Sequence, residues 1–224
     1  MVFRLRPQSS GQIGLFPEHW NTWPWIAERM SARLLAQPAE GNVSDPPRVL
    51  HLFAYTGATT LALAKMGAHV THVDAMSSAV QWGRENAKLS GLESRPIRWI
   101  VEDARKYVSR ELRRGQAYDL IVLDPPSYGH GTKGQAWEIH RDLVPLVEEC
   151  WQLLSEGAIG MVLTGHSPDV SFKELKMVLE EVDGSMGSVQ YQTQQAGLLD
   201  RSGRMLDCGY VAKFVRAGTR MRLE

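Results

Sequence analysis

From residue 49 onward, apolar runs of four or five residues alternate with longer mixed segments, and breaker residues separate the two. Val49 to Phe53, Val70 to Val73, Ile97 to Val101, Leu120 to Leu123 and Gly160 to Thr164 have the length and branching of buried strands. Between them, Thr59 to Met66, Ser78 to Ser90, Ala104 to Arg114, Leu143 to Leu154 and Phe172 to Val182 read as helices, with Gly91 and Ser155-Glu156-Gly157 as stops. Val189 to Gln194 and Tyr210 to Val215 read as a closing hairpin. Such alternation predicts an α/β fold with a mostly parallel sheet covered on both faces.

Residues 1–48 read as a lead-in with room for a short hairpin, a Trp-rich stretch (Trp20, Trp23, Trp25) and a helix near Ile26 to Leu35. Pro38 to Pro47, with Gly41, Asn42, Ser44 and Asp45 between, is a breaker-rich linker. The expected division is therefore an extension over 1–48 and a regular domain over 49–224.

Composition narrows the function classes. Lys plus Arg and Asp plus Glu both total 25, so no global field draws the chain to nucleic acid, and a polyanion would need a local patch. Arg201, Arg204, Arg216, Arg220 and Arg222 near the C-terminal end read more simply as scattered surface charge. Cys150 and Cys208 lie far apart, without CxxC spacing or a His ligand pattern, so the expectation is no metal, no disulfide framework and a reducing, cytoplasmic setting. The start of the chain lacks the apolar stretch of a signal peptide, and no run suffices to span a bilayer, so no membrane partner is expected.

In a doubly wound sheet the strand C-termini meet at one edge, where ligands bind, so polar residues just after strands carry most information. After the first strand, Ala54-Tyr55-Thr56-Gly57-Ala58 is a turn with one glycine where a dinucleotide fold would show G-x-G-x-x-G. An ordinary strand-to-helix turn fits it equally well. Asp74 ends the second strand, where a carboxylate accepts both ribose hydroxyls or caps the helix that follows Ala75 and Met76. Asp103, before Ala104, offers the same choice between an adenine amine and a helix cap.

The fourth strand ends in Asp124-Pro125-Pro126-Ser127-Tyr128. Two prolines fix φ and remove N–H donors, which leaves a rigid backbone whose carbonyls can accept from an amine or a base edge. Asp124 can orient an acceptor or take its proton. Tyr128 either stacks on an extruded base or packs under the loop. His166, at the end of the fifth strand, and His130, in the loop after Tyr128, read as a base or phosphate contact or as plain loop histidines.

In this order the residues resemble the class I S-adenosylmethionine-dependent methyltransferases, over about residues 12 to 215, and most of all the bacterial branch with the 23S rRNA cytosine-5 methyltransferases. His51-Leu52-Phe53-Ala54-Tyr55-Thr56-Gly57 is similar to that branch's cofactor loop, and Asp124 to Gly131, continuing through Lys133-Gly134 and Trp137 to Asp142-Leu143, to its transfer motif. Gly14-Leu15-Phe16-Pro17-Glu18 resembles the segment that closes over the cofactor.

The resemblance implies a Rossmann-like, seven-stranded sheet with an antiparallel C-terminal hairpin, and S-adenosyl-L-methionine as cofactor. It implies that Phe53, Ala54, Tyr55, Thr56, Gly57 and Ala58 wrap the methionine portion, that Asp74 with Ala75 and Met76 holds the ribose, and that Asp103 with Ala104 meets the adenine. Phe16 and Glu18 would close the site, and Asp124, Pro125, Pro126, Ser127 and Tyr128 would form the transfer floor. RNA is a partner by resemblance alone. Two departures matter. Cytosine C5 needs a thiolate that adds to the ring first, and after the fifth strand stands Val162-Leu163-Thr164-Gly165-His166-Ser167 with no cysteine. The 48 lead-in residues are also too few for the branch's RNA-binding domain. The expectation is methyl transfer to RNA at another atom, with a small molecule or protein as the alternative acceptor and a non-catalytic binding domain as a further alternative.

Overall fold

Apolar runs too short to make helices must pair, and here they pair into one sheet. The computed structural model describes residues 1–8, 11–36, 45–129, 136–166 and 189–216. A 3-10 turn over Pro17–Thr22 leads into helix α1 (Trp23–Ala36), where Pro24 falls in the first turn and its missing N–H costs nothing. The domain proper runs β1 (Arg48–Leu52), α2 (Ala58–Lys65), β2 (His69–Asp74), α3 (Ser77–Leu89), β3 (Ile97–Val101), α4 (Ala104–Arg113) and β4 (Leu120–Leu123). It continues through two short strands, β5 (Tyr128–Gly129) and β6 (Trp137–Glu138), then α5 (Ile139–Gln152), β7 (Gly160–Gly165), β8 (Val189–Leu199) and β9 (Met205–Arg216).

The seven-stranded sheet has the order β3-β2-β1-β4-β7-β9-β8. Its first five strands are parallel, and β9 lies antiparallel between β7 and β8. This is the expected mostly parallel, Rossmann-like α/β sheet with a C-terminal hairpin. Strand alternation splits the core. In β4, Leu120 and Val122 join Ile26, Met30 and Leu63 of α1 and α2, whereas Ile121 and Leu123 join Tyr107, Val108 and Leu146 of α4 and α5.

From β1 through β4 and at β7, the boundaries agree with expectation to within one residue. Four places differ. Helix α1 starts at Trp23 rather than near Ile26. Helix α5 starts at Ile139 rather than Leu143 and carries Pro145 inside it. A proline normally marks a helix start, but here Asp142 Oδ2 accepts from Glu138 N at 2.9 Å and Ser127 O from Ile139 N at 3.0 Å, which organises an earlier first turn. The hairpin strands reach Leu199 and Met205, well past the expected ends, through a register shift between Gln195 and Gly197. Its polar alternation hid this extension, because the outer part pairs only with itself. The β5–β6 ladder, Tyr128 opposite Glu138, was not expected. The predicted helix at 172–182 and His130, Gly131, Lys133 and Gly134 lie outside the described residues. Among the described residues no helix is long and apolar enough to cross a membrane.

Candidate active site

The sheet order reverses between β1 and β4, so a crevice opens at their C-terminal ends. There the structure forms a cleft of about 650 Å³, within the range of small-molecule sites. Phe16, Phe53, Tyr55, Asp74, Ala75, Met76, Asp103, Ala104 and the run from Asp124 to Tyr128 all line it. An adjoining cavity of about 20 Å³, bordered by Ala54, Thr56, Gly57 and Ala58, shares Phe16, Phe53, Tyr55 and Asp124 with it. Among the residues expected to hold the cofactor or form the transfer floor, Glu18 borders neither; its buried carboxylate sits 3.5 Å from His166 Nδ1.

The turn after β1 is wound into unusual backbone. Phe53 (φ 54°) and Tyr55 (φ 48°) lie in the left-handed region without being glycine, and Gly57 (φ 84°) begins α2. L-residues there carry strain of order 1–2 kcal/mol each, so the surroundings must hold them. Ala54 N donates to Val73 O at 3.1 Å, and Tyr55 N donates to Asp74 Oδ2 at 2.8 Å. Asp74 Oδ1 accepts from Met76 N, also at 2.8 Å. Asp74 is thus a clamp between two strand ends and does not cap α3, whose N-cap is Met76. Burial raises its pKa against these two N–H donors.

Asp103 takes the cap role. Its side chain accepts from Arg105 N at 3.0 Å and Lys106 N at 3.3 Å, and it pairs with the Arg105 guanidinium at 2.8 Å while lining the cleft. Burial pushes its pKa up, but the Arg105 contacts outweigh that and hold it below the usual carboxylate value. Arg105 also reaches Asp142 of α5 at 2.8 Å, so the wall after β3 is tied to the end of the transfer motif.

At the end of β4, Asp124 is gripped from three sides. Thr164 Oγ1 of β7 donates to its Oδ1 at 2.6 Å, His166 Nε2 lies 3.3 Å from Oδ1, and His19 Nε2 lies 3.2 Å from Oδ2. Burial would raise its pKa, but the two histidines hold it well below the usual carboxylate range. For His166, burial lowers the pKa and the Asp124 contact wins, raising it to about 9. A carboxylate held so low is a weak proton acceptor, so Asp124 is better suited to orienting than to deprotonating.

The sequence reading left the carbonyls around Pro125 free, and this needs correction for Pro126. Its oxygen accepts from Trp137 Nε1 at 2.6 Å, because the chain folds back through β5 and β6 and sets the indole beneath the motif. Trp137 also packs on Phe53, with ring centroids 4.9 Å apart. Tyr128 lines the cleft and is 65% exposed, and the loop that follows it lies outside the described residues.

The described part of the lead-in packs along α3 and reaches the turn after β1. Val2 bonds to Ser90 just past α3 and Arg4 to Asn86 of α3, and Arg6 N donates to Ile13 O where a short hairpin was expected, although no strand is described there. Gly14 (φ 89°) presses on Trp82, where an added Cβ would come within 2.2 Å of the indole, and its carbonyl accepts from Thr56 Oγ1 at 2.7 Å. Phe16 then lies against Tyr55, His19 and His166 at centroid distances of 5.6, 5.9 and 5.8 Å.

Sequence reasoning missed His19, Arg105 and the role of Trp137. It missed His51 as well: buried behind the site, His51 Nδ1 and His72 Nδ1 share Thr60 Oγ1 at 2.7 and 2.9 Å. Burial lowers both, His51 to about 3. Neither cysteine is a ready thiolate, since burial raises the pKa of Cys150 and Cys208 alike.

The profile of the S-adenosylmethionine-dependent methyltransferase family matches residues 16–176, more than half of the chain. The chain belongs to this family. Among curated proteins it is similar to ribosomal RNA large subunit methyltransferase K/L of Shewanella baltica, 30% identical over 155 residues, which covers 68% of this chain and 20% of that protein. The chain thus spans about a fifth of the length of the curated relatives it matches. Among solved structures it is similar to a methyltransferase dependent on the same cofactor from Agrobacterium tumefaciens, with TM-score 0.78, 36% identity, and coverage of 92% of this chain and 64% of that one. A methyltransferase complexed with the demethylated cofactor shares the fold at TM-score 0.71 and 19% identity, covering 92% of this chain and 51% of that one.

The cleft fits the family's cofactor. S-adenosylmethionine has a nucleoside to grip and no pyrophosphate to cradle, and the cleft has a half-buried carboxylate, Asp74, at the end of β2 but one glycine, Gly57, in the turn after β1.

Proposed function

We propose that this chain transfers a methyl group from S-adenosylmethionine to RNA, ribosomal RNA by analogy with its relatives, at an atom other than cytosine C5, in the cytosol. The carrying observation is the single cleft that joins the Asp74 clamp to the Asp124-Pro125-Pro126 floor. Residues 1–48 act as an extension that closes over the cofactor, and residues 49–224 are the methyltransferase domain. Asp74 holds the ribose, the turn from Phe53 to Ala58 wraps the methionine portion, and Asp103 with Ala104 borders the adenine.

When bound, the cofactor supplies an electrophilic methyl on sulfur, and in-line displacement needs little from the protein beyond alignment and exclusion of water. Phe16 and Phe53 supply apolar walls. Asp124, fixed by Thr164 and two histidines, accepts a hydrogen bond from the acceptor and sets its lone pair toward the methyl. Tyr128, exposed at the mouth, offers its ring to a base. The raised pKa of both cysteines supports an acceptor other than carbon 5 of cytosine, which requires a thiolate.

The test is incubation with cofactor labelled in the methyl group and fractionated cell extract. Label in the RNA fraction, lost in Asp124→Ala and weakened by rising salt, supports the reading. Label only in protein or metabolites replaces RNA with that acceptor class, and no label in any fraction overturns transfer.

A further inference from the structure

We infer that His19, Asp124 and His166 form a binding site for one divalent transition-metal ion at the acceptor end of the cleft. One ligand atom from each residue lies within 4.8 Å of the others. The contacts are closer still: 3.0 Å between the two Nε2 atoms, 3.2 Å from His19 Nε2 to Asp124, and 3.3 Å from His166 Nε2 to Asp124. Ligands held at about 2.0–2.2 Å from a zinc-class ion stand roughly 3–3.5 Å apart, which is the spacing found here.

Proton bookkeeping argues the same way. His166 Nδ1 contacts the carbonyl oxygen of Cys208, an acceptor only, so Nδ1 carries a hydrogen. Protonating Nε2 of both histidines would set two N–H groups head to head across 3.0 Å. With one proton, one histidine donates, but the other turns a lone pair toward the Asp124 carboxylate at 3.2 or 3.3 Å. With Asp124 ionised, no arrangement of protons satisfies all three contacts, whereas a single cation between the three atoms does.

The supports are those of a metal site. A ligating histidine characteristically donates its other ring N–H to a carbonyl, as His166 does to Cys208. Thr164 Oγ1 fixes the carboxylate at 2.6 Å, and the Phe16 ring lies against both imidazoles. Two imidazoles and one carboxylate suit zinc, iron, cobalt or manganese rather than magnesium or calcium. Three protein ligands leave coordination open, and Asp124 and His166 both line the cleft. Under the methyltransferase reading, on which this clause alone rests, the open position faces the methyl acceptor and draws its oxygen or nitrogen into place.

Untagged protein stripped with chelator and titrated with Co²⁺ tests the site through the visible d–d bands of the bound ion, with calorimetry against S-adenosylhomocysteine on the same samples. One Co²⁺ per chain is expected, with affinity falling by about tenfold or more in His19→Ala and in His166→Ala and the bands lost in the double variant. Retained cofactor binding shows that the variants are folded. No bands from wild-type protein that binds S-adenosylhomocysteine, or bands unchanged in the double variant, overturn the site and leave the methyltransferase reading standing. Bands that depend on both histidines, in protein that does not bind S-adenosylhomocysteine, establish the ion and overturn the cofactor instead.

Discussion

Asp74→Ala separates the clamp from the ribose contact. The substitution removes two charge-assisted hydrogen bonds, from Tyr55 N and Met76 N, each 2.8 Å long. Bonds to a charged group contribute about 1.5–3 kcal/mol each. Burial of the carboxylate opposes them, so we expect a net loss of about 2–3 kcal/mol in stability. The loss is compounded locally, because Tyr55 at φ 48° relaxes once its N–H is released and takes its ring out of the cleft wall. In binding, two ribose hydroxyls lose their acceptor, and about 3 kcal/mol corresponds to a roughly 100-fold rise in Kd for S-adenosylhomocysteine. Asp74→Asn keeps one acceptor oxygen and should fall between, at roughly tenfold. Isothermal calorimetry gives the affinities and urea unfolding gives the stability. An Asp74→Ala protein with a lowered urea midpoint but an affinity within about threefold of wild type would refute the ribose assignment and leave Asp74 as a purely structural clamp.

Three further outcomes follow from the geometry. Gly14→Ala combines left-handed strain of about 1–2 kcal/mol with a clash against Trp82, so urea unfolding should show a loss of about 2–4 kcal/mol; a change under about 0.5 kcal/mol would mean the segment is not seated on Trp82. Trp137→Phe removes the bond to Pro126 O but keeps a ring against Phe53, so kcat should fall roughly tenfold while the S-adenosylhomocysteine Kd holds, read by methyl-transfer kinetics and calorimetry. Acid should destabilise the fold early, because His51 and His72 have folded pKa values below the ordinary histidine value and the unfolded chain therefore binds more protons. Their stabilising effect is complete above about pH 6.5 and falls by about 1.36 kcal/mol per unit for each histidine below it, so urea unfolding at pH 7 and pH 5 should differ by about 2–4 kcal/mol, and equal stabilities would exclude neutral buried histidines.

The strand-end carboxylates were legible because each lies beside an apolar run whose length fixes its direction. Once Leu120 to Leu123 is a parallel strand, Asp124 has to emerge at the ligand edge, and the same holds for Asp74 and Asp103. What the sequence could not resolve was which of two hydrogen-bonding roles each carboxylate plays, since a cap and a ligand contact use the same residue at the same place. The structure divides them: Asp103 caps α4, and Asp74 bridges two backbone N–H groups. Contacts that join distant segments left no local trace. Arg105 meets Asp142, Trp137 turns back onto Pro126, and His19 and His166 stand 147 positions apart in the chain. The His19, Asp124 and His166 cluster joins a 3-10 turn to the ends of two strands, so it has no ligand spacing along the sequence.

Residues 14–19 touch both halves of the cleft. Strands β1, β2 and β3 deliver the turn, Asp74 and Asp103, whereas β4 and β7 deliver Asp124 and His166. The sheet order reverses between these groups, so no single strand links them at the ligand edge. Residues 14–19 do: Gly14 O bonds to Thr56, Phe16 touches Tyr55 on one side and His166 on the other, and His19 reaches Asp124. Under the proposed function, a cofactor that orders the turn after β1 should therefore also seat His19 against Asp124, and displacing Gly14 from Trp82 should perturb the acceptor end although Gly14 does not line the cleft. Coupling of this kind is reciprocal. An acceptor or ion engaging Asp124 and His19 should tighten S-adenosylhomocysteine by the same factor by which S-adenosylhomocysteine tightens it, and His19→Ala should abolish that factor while leaving the Asp74 clamp intact.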